Sequence, residues 1–161
     1  MKITILCIGS LKEPYWRDAV AEYGKRLRRF CALEIQELPE QKLPANAGAA
    51  EEAAVIAAES RRLSDKISIS PQAHVIALDI RGTEWSSTEL AHRMSAWMLT
   101  GKSELIFLIG GSLGLSPALL ERADDRLSFS PMTFPHQLMR VLLLEQVYRA
   151  FKINNHQPYH K

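Results

Sequence analysis

The chain has 161 residues, of which 47% are apolar and 24% charged, and its 20 basic and 18 acidic side chains leave a net charge of +2. A chain of this size folds to about 8,000 Å² of surface and buries roughly 69% of what the extended chain exposes, enough for one core without disulfides or metal. The composition excludes wholly disordered, collagenous and coiled-coil chains. No apolar run approaches the ~20 residues of a membrane span, and the opening run at 3–8 is too short for a signal peptide. A single soluble, cytoplasmic domain over residues 1–161, without a membrane partner, is expected.

Residues 2–8 (KITILCI) are short and β-branched and end at Gly9-Ser10, which predicts a buried strand. Pro14 suits the first turn of a helix, and Trp16, Val20, Tyr23, Leu27 and Phe30 follow it at helical spacing. Lys25, Arg26, Arg28 and Arg29 lie near that helix's C-terminal end, where cations favour the dipole. Residues 32–38 alternate as a second strand, and Pro39, Pro44, Asn46 and Gly48 make 39–48 a loop. The Ala- and Glu-rich stretch 49–66 has high helix propensity. Residues 74–78 predict a buried strand ending at Asp79, and Ser86 with Glu89 a capping box that opens a helix through Leu99. Residues 104–109 (ELIFLI) predict another buried strand, Ser116-Pro117 a short helix, 127–129 a brief strand, and 135–151 a helix of about 25 Å. Strands and helices alternate and the strands read as buried on both faces, the pattern of a mostly parallel α/β sheet flanked by helices. The last helix carries Leu138, Met139, Val141, Leu142, Leu143, Leu144, Val147 and Tyr148 around most of its circumference, so it needs cover on more than one side. Sharing it with a second copy predicts a homodimer.

Cys7 and Cys31 stand 24 apart, outside any CxxC pattern or histidine cluster, and read as buried thiols with no metal site. In an open α/β sheet, ligands bind at the carboxyl ends of the strands. Three loops qualify: 78–82, 109–114 and 128–136. Their glycines permit close backbone approach, but GGxxG is not GxGxxG and no GK[ST] follows, so a dinucleotide or triphosphate loop is not indicated. Ser128 and Ser130 lack a nucleophile elbow, and Glu145, four before Arg149, reads as half of an intrahelical ion pair. Residues 1–80 hold 11 basic and 11 acidic side chains, whereas 126–161 hold five basic against the single acidic Glu145. That basic end suits phosphates, although on charge alone a solvated cationic helix end fits equally well.

At these same loops the sequence resembles a known family. The run SFSPMTFPHQLMRVLLLEQVYRAFKI, the turn IGGSLGLS, the strand end ALDIRG, the opening KITILCIGSLKEPYW and the terminal YHK match jointly. Along its whole length the chain is similar to the RlmH-type 23S rRNA pseudouridine N3-methyltransferases of the SPOUT class. Residues 39–73 match most loosely, and Pro131 departs from what related chains often carry, stiffening its loop. The resemblance implies an α/β fold with a C-terminal deep trefoil knot over about residues 74–161, a topology that general chain-threading rules would reject. It also implies a homodimer, S-adenosylmethionine as cofactor, and methylation of N3 of a pseudouridine in 23S rRNA. A domain this small has little room for a separate RNA-recognition module, so the dimer is expected to compose the substrate surface and the assembled ribosome to be the substrate. The resemblance places the cofactor at Leu78, Gly110 and the segment Phe129, Ser130, Pro131, Met132, Thr133 and Phe134. Three residues are candidates to take the proton that leaves N3: His136, Tyr159 and His160. His136 equally serves as a helix cap. Arg140, Arg149 and Lys152 are candidates to hold rRNA phosphates, with Lys25, Arg26, Arg28 and Arg29 as a second patch. A knotted methyltransferase acting on a tRNA ribose and a non-catalytic ribosome-binding protein are the competing readings.

Overall fold

The computed structural model describes residues 1–159. Ten elements alternate along them: β1 (Lys2–Ile8), α1 (Pro14–Leu27), β2 (Ala32–Leu38), α2 (Ala49–Ser64), β3 (Ala73–Glu84), α3 (Ser87–Leu99), β4 (Glu104–Ile109), α4 (Pro117–Arg122), β5 (Asp125–Ser128) and α5 (His136–Asn154). The strands form one parallel sheet in the order β2-β1-β4-β3-β5. Side chains alternate across a strand. Ile3, Ile5 and Cys7 of β1 and Leu105, Phe107 and Ile109 of β4 therefore pack with α1, α3 and α5 on one face. Leu6 and Ile8 of β1 and Ile106 and Leu108 of β4 meet Leu63 of α2 and Leu119 of α4 on the other. The result is a three-layer α/β/α sandwich, as the alternation of elements predicts.

Local chemistry sets the helix starts. Ser86 Oγ accepts from the Glu89 amide at 3.2 Å while the Ser86 amide donates to Glu89 Oε2 at 2.7 Å, and these bonds hold the Glu89 carboxyl below the usual range. Ser116 Oγ likewise caps α4 by accepting from the Leu119 amide at 3.2 Å. Both cysteines are free, and burial pushes each thiol up to about 11, so neither is a thiolate at neutral pH. No helix among the described residues is long and apolar enough to cross a membrane.

Several expectations need correction. β2 is half-exposed because it forms one edge of the sheet, so not every strand is buried on both faces. α2 ends at Ser64 rather than Lys66, β5 spans Asp125–Ser128 rather than 127–129, and α5 begins after Pro135 and runs on to Asn154. β3 does not stop at Leu78. Leu78 pairs with Leu127 of β5, the chain makes an excursion through 79–82, and Thr83 then pairs with the same Leu127. α5 has no exposed residue, and its Leu138, Val141 and Leu142 are half-buried within a single chain.

The largest departure is Arg140. Expected at the surface to meet phosphates, it is fully buried. The reason is helical period: 140, 143, 144 and 147 share the stripe of α5 that faces the sheet. Its Nη2 donates to the carbonyls of Ile8 (3.0 Å) and Gly9 (2.6 Å), and its Nη1 donates to Glu37 Oε1 at 2.6 Å. The cation thus ties α5 to the carboxyl ends of β1 and β2. Removing one partner of such a buried group costs about 3–5 kcal/mol. Arg140→Met is therefore expected to lower unfolding free energy by that amount, read from urea titrations at fixed protein concentration; a change within about 0.5 kcal/mol, typical of surface sites, would exclude the clamp.

Candidate functional site

The loops that follow β3, β4 and β5 converge on a cavity of about 980 Å³ at the carboxyl ends of the strands. The first loop is the 79–82 excursion. Asp79 receives Arg126 Nε at 2.9 Å, and a Cβ on Gly82 would lie 2.6 Å from the Arg126 carbonyl oxygen, so only glycine closes the detour against β5. In the second loop the Gly114 amide returns to the Gly111 carbonyl at 3.1 Å, with φ +82° at Gly114. A Cβ on Gly110 would stand 2.7 Å from the Gly114 carbonyl oxygen, so the turn itself requires glycine there, before any ligand is considered. The third loop, 129–135, is folded by Ser128 Oγ donating to the Ser130 carbonyl at 3.2 Å and Ser130 Oγ accepting the Met132 amide at 3.0 Å.

The structure brings most of the expected ligand-binding residues to this cavity. Leu78, Gly110, Phe129, Ser130, Thr133 and Phe134 line it, and Met132, 72% exposed, sits on its wall toward solvent. Pro131 does not line it and is exposed at the loop's outer side. His136 does line it. Sequence reading missed the contributions of α4 and α5, namely Pro117, Leu120, Glu121 and Met139, because nothing in a short helix's sequence announces which wall it forms. Buried Glu59 was also missed. It accepts the Gln41 amide at 2.8 Å and lies against Gly111, joining the 39–48 segment to the second loop.

The half-buried His136 ring forms part of the cavity wall. Its Nε2 is buried without a hydrogen-bond partner, 3.5 Å from Glu40 Oε1 but outside hydrogen-bond geometry. Burial first, and then the nearby Arg140 guanidinium, hold its pKa below the ordinary 6.5, so the ring is neutral at pH 7.

Tyr159 does not line this cavity. Its hydroxyl donates to Glu145 Oε2 at 2.8 Å, its ring meets Tyr148 edge-on at 5.0 Å, and the Arg149 guanidinium covers it at 4.7 Å. Burial and the Glu145 bond push its phenol above its usual value. Arg149 forms the expected ion pair with Glu145, Nη2 to Oε1 at 2.6 Å. Lys152 Nζ donates to Gln157 Oε1 at 2.8 Å, well away from the cavity. His160 lies outside the described residues. Among the described residues no group of three His, Cys, Asp or Glu side chains is arranged to hold a metal.

A family model described as "Predicted SPOUT methyltransferase" matches residues 1–160. This chain belongs to the SPOUT methyltransferase family. The curated relatives similar to this SPOUT chain include a protein named "Ribosomal RNA large subunit methyltransferase H" from Bifidobacterium adolescentis, 52% identical over 161 residues and all of both chains. One of the same name from Carboxydothermus hydrogenoformans is 50% identical, again over all of both chains. Among solved structures, a "probable methylase family protein" from Haemophilus influenzae superposes with a TM-score of 0.56 at 16% identity, covering 99% of this chain and 70% of that one, a likeness of fold. The site therefore belongs to a family of methyl-transferring enzymes, and the neutral imidazole lies within it.

Because the folded chain disfavours the imidazolium, the unfolded chain binds the His136 proton more readily. Stability is then lost as pH falls below the ordinary value of 6.5. His136→Gln is expected to match the parent's pH profile above pH 7 and to lose less stability than the parent from about pH 6.5 downward, as followed by urea midpoints. Parallel profiles through the acid range would show that the ring is not held neutral.

Proposed function

We propose that this chain transfers a methyl group from S-adenosylmethionine to N3 of a pseudouridine in 23S rRNA, in the cytoplasm, as a homodimer acting on the assembled ribosome. The observation that carries the reading is the 980 Å³ strand-end cavity of a SPOUT-family chain, with the neutral His136 ring in its wall. The relatives' shared name supplies the RNA class. The deep knot over about residues 74–161 forms part of the same reading.

The cavity falls within the roughly 300–1,000 Å³ of small-molecule sites. Leu78, Ile109 and Phe129 give apolar walls for a planar base, the peptide groups of 129–134 can read its edge, and Gly110 lets the 110–114 turn close beside them. When bound, S-adenosylmethionine supplies an electrophilic methyl group. The acceptor N3 must lose its proton as it attacks, and His136, the neutral imidazole in the cavity wall, is the candidate to take it once its ring turns from Glu40 toward the cavity. A positioned base contributes roughly 10²–10⁴-fold. Tyr159, with its phenol held protonated and donating to Glu145, anchors the C-terminal tail instead of acting as the base.

The homodimer reading rests on two features. Tyr159 is seated at Glu145, nine positions beyond His136 and roughly 13 Å along the helix, so a chain's own tail root is remote from its own cavity. The half-buried stripe Leu138, Val141 and Leu142 offers a self-complementary face. Two such helices crossing antiparallel would set each tail against the other chain's cavity. The single chain exposes 9042 Å², above the about 8,100 Å² usual for a monomer of its mass.

The test uses large ribosomal subunits from cells deleted for this enzyme, isotope-labelled S-adenosylmethionine and mass spectrometry of the RNA. One added methyl at N3 of a single pseudouridine is expected; label in tRNA, or none, overturns the reading. His136→Asn is expected to lower kcat by roughly 10²–10⁴-fold while calorimetric cofactor affinity stays within about threefold. Leu138→Asp with Leu142→Asp is expected to give folded monomers by sedimentation that do not methylate. A monomer with full activity would refute the shared site.

A further inference from the structure

A second concavity lies away from the cofactor cavity, between the C-terminal ends of α1 and α5. It has a volume of about 580 Å³ and is bordered by Lys25, Arg26, Arg29 and Lys152, with Glu22 as the single carboxylate. We infer that this cleft holds the phosphate backbone of the RNA substrate. The inference rests on the function proposed above and assigns it an RNA-binding site.

The two helices are brought side by side by aromatic packing. Phe30 stacks on Phe151 at 5.4 Å, and the Tyr23 and Tyr148 rings meet at 6.5 Å. This places the cations of α1 beside Lys152 of α5, although the two groups are more than a hundred residues apart in sequence. The charge is poorly compensated. Glu22 is taken by Arg26, Nε to Oε1 at 2.8 Å. Lys152 bonds only the neutral Gln157 amide. Lys25, exposed in the last turn of α1, and Arg29, exposed in the turn that follows it, have neither ion pair nor hydrogen bond among the described residues.

Residues 1–80 as a whole are electrically balanced, so the cluster is local and not a drift of composition. A concave, uncompensated cationic surface binds polyanions by releasing their counterions. The cleft's wall also includes Gln157, two residues before the anchored Tyr159, so a strand held there runs beside the root of the tail. Such contacts position RNA without reading its sequence. Selection of one nucleotide remains with the cavity and the tail.

The experiment compares the full chain with Lys25→Ala/Arg29→Ala and with Arg61→Ala/Lys66→Ala, a pair of equal charge at exposed positions in the last turn of α2 and just beyond it. Binding of a fluorescein-labelled mixed-sequence RNA hairpin and of large ribosomal subunits is measured across a series of salt concentrations, alongside calorimetry with S-adenosylmethionine. The cleft variant is expected to bind RNA more weakly, with a salt slope shallower by about 1.4–1.8, while the cofactor affinity and the control pair's slope are unchanged. An unaltered slope in the cleft variant, an equal loss in the control pair, or competition by polyglutamate as strong as by RNA would overturn the cleft while leaving the methyltransferase reading in place. A parent chain that binds the hairpin but never methylates large subunits would instead sink the reading on which the cleft depends.

Discussion

One buried cation organises the catalytic end of this molecule. Removing a guanidinium from water costs several kcal/mol, and it stays inside only where oxygens replace that water. Arg140 finds three: the carbonyls of Ile8 and Gly9 at the end of β1, and the Glu37 carboxylate of β2. Glu37 Oε1 also accepts the Leu11 amide at 3.2 Å, and Gln137, in the same turn of α5, accepts the Lys12 amide at 2.9 Å. The start of α5 is thereby fixed to two strands at once. Everything attached to that turn inherits the constraint, from the 129–135 loop before it to the imidazole of His136. The same positive charge adds to the burial that keeps His136 neutral, so one residue fixes the ring's place and assists its protonation state.

A division of proton chemistry follows. The imidazole at the cavity is neutral and unpartnered. The phenols of Tyr23 and Tyr159 gather around Glu145 and are pushed upward by burial and by hydrogen bonding to that carboxylate. The start of α5 therefore presents a neutral imidazole, and its middle, at Glu145, gathers groups that retain their protons. Roughly 13 Å of helix separates the two and keeps them on one axis.

Much of the fold was legible because its signals are local. Short apolar strands of six or seven residues, a Ser-x-x-Glu capping box and a Ser-Pro helix start each act over a few residues, and β1, β4, α3 and α4 form where these signals stand. The glycine-bearing strand ends also marked the cavity, since the turns need glycine for their own closure. Less legible were features that depend on what packs from afar. Arg140 reads as a surface cation by residue type, and only its place on the 140-143-144-147 stripe betrays its burial. Asp79-Ile80-Arg81-Gly82 reads as a strand terminus, although the chain rejoins the sheet at Thr83. Tyr159 as an anchored side chain required Glu145, Tyr148 and Arg149 to be seen together. The family assignment came from several motifs matched jointly, which no single strand or loop carries alone.

The interrupted strand has a further bearing on how such enzymes diversify. Because Leu78 and Thr83 both register against Leu127, the four intervening residues leave the ladder, tied to β5 by Asp79 on Arg126 and by Gly82 against the Arg126 carbonyl. Ile80 and Arg81, between those ties, can be rewritten without moving a strand while reshaping one wall of the ligand chamber. The fold thus carries two replaceable side chains at its active end, where new substrate preferences can be drafted at small risk to folding.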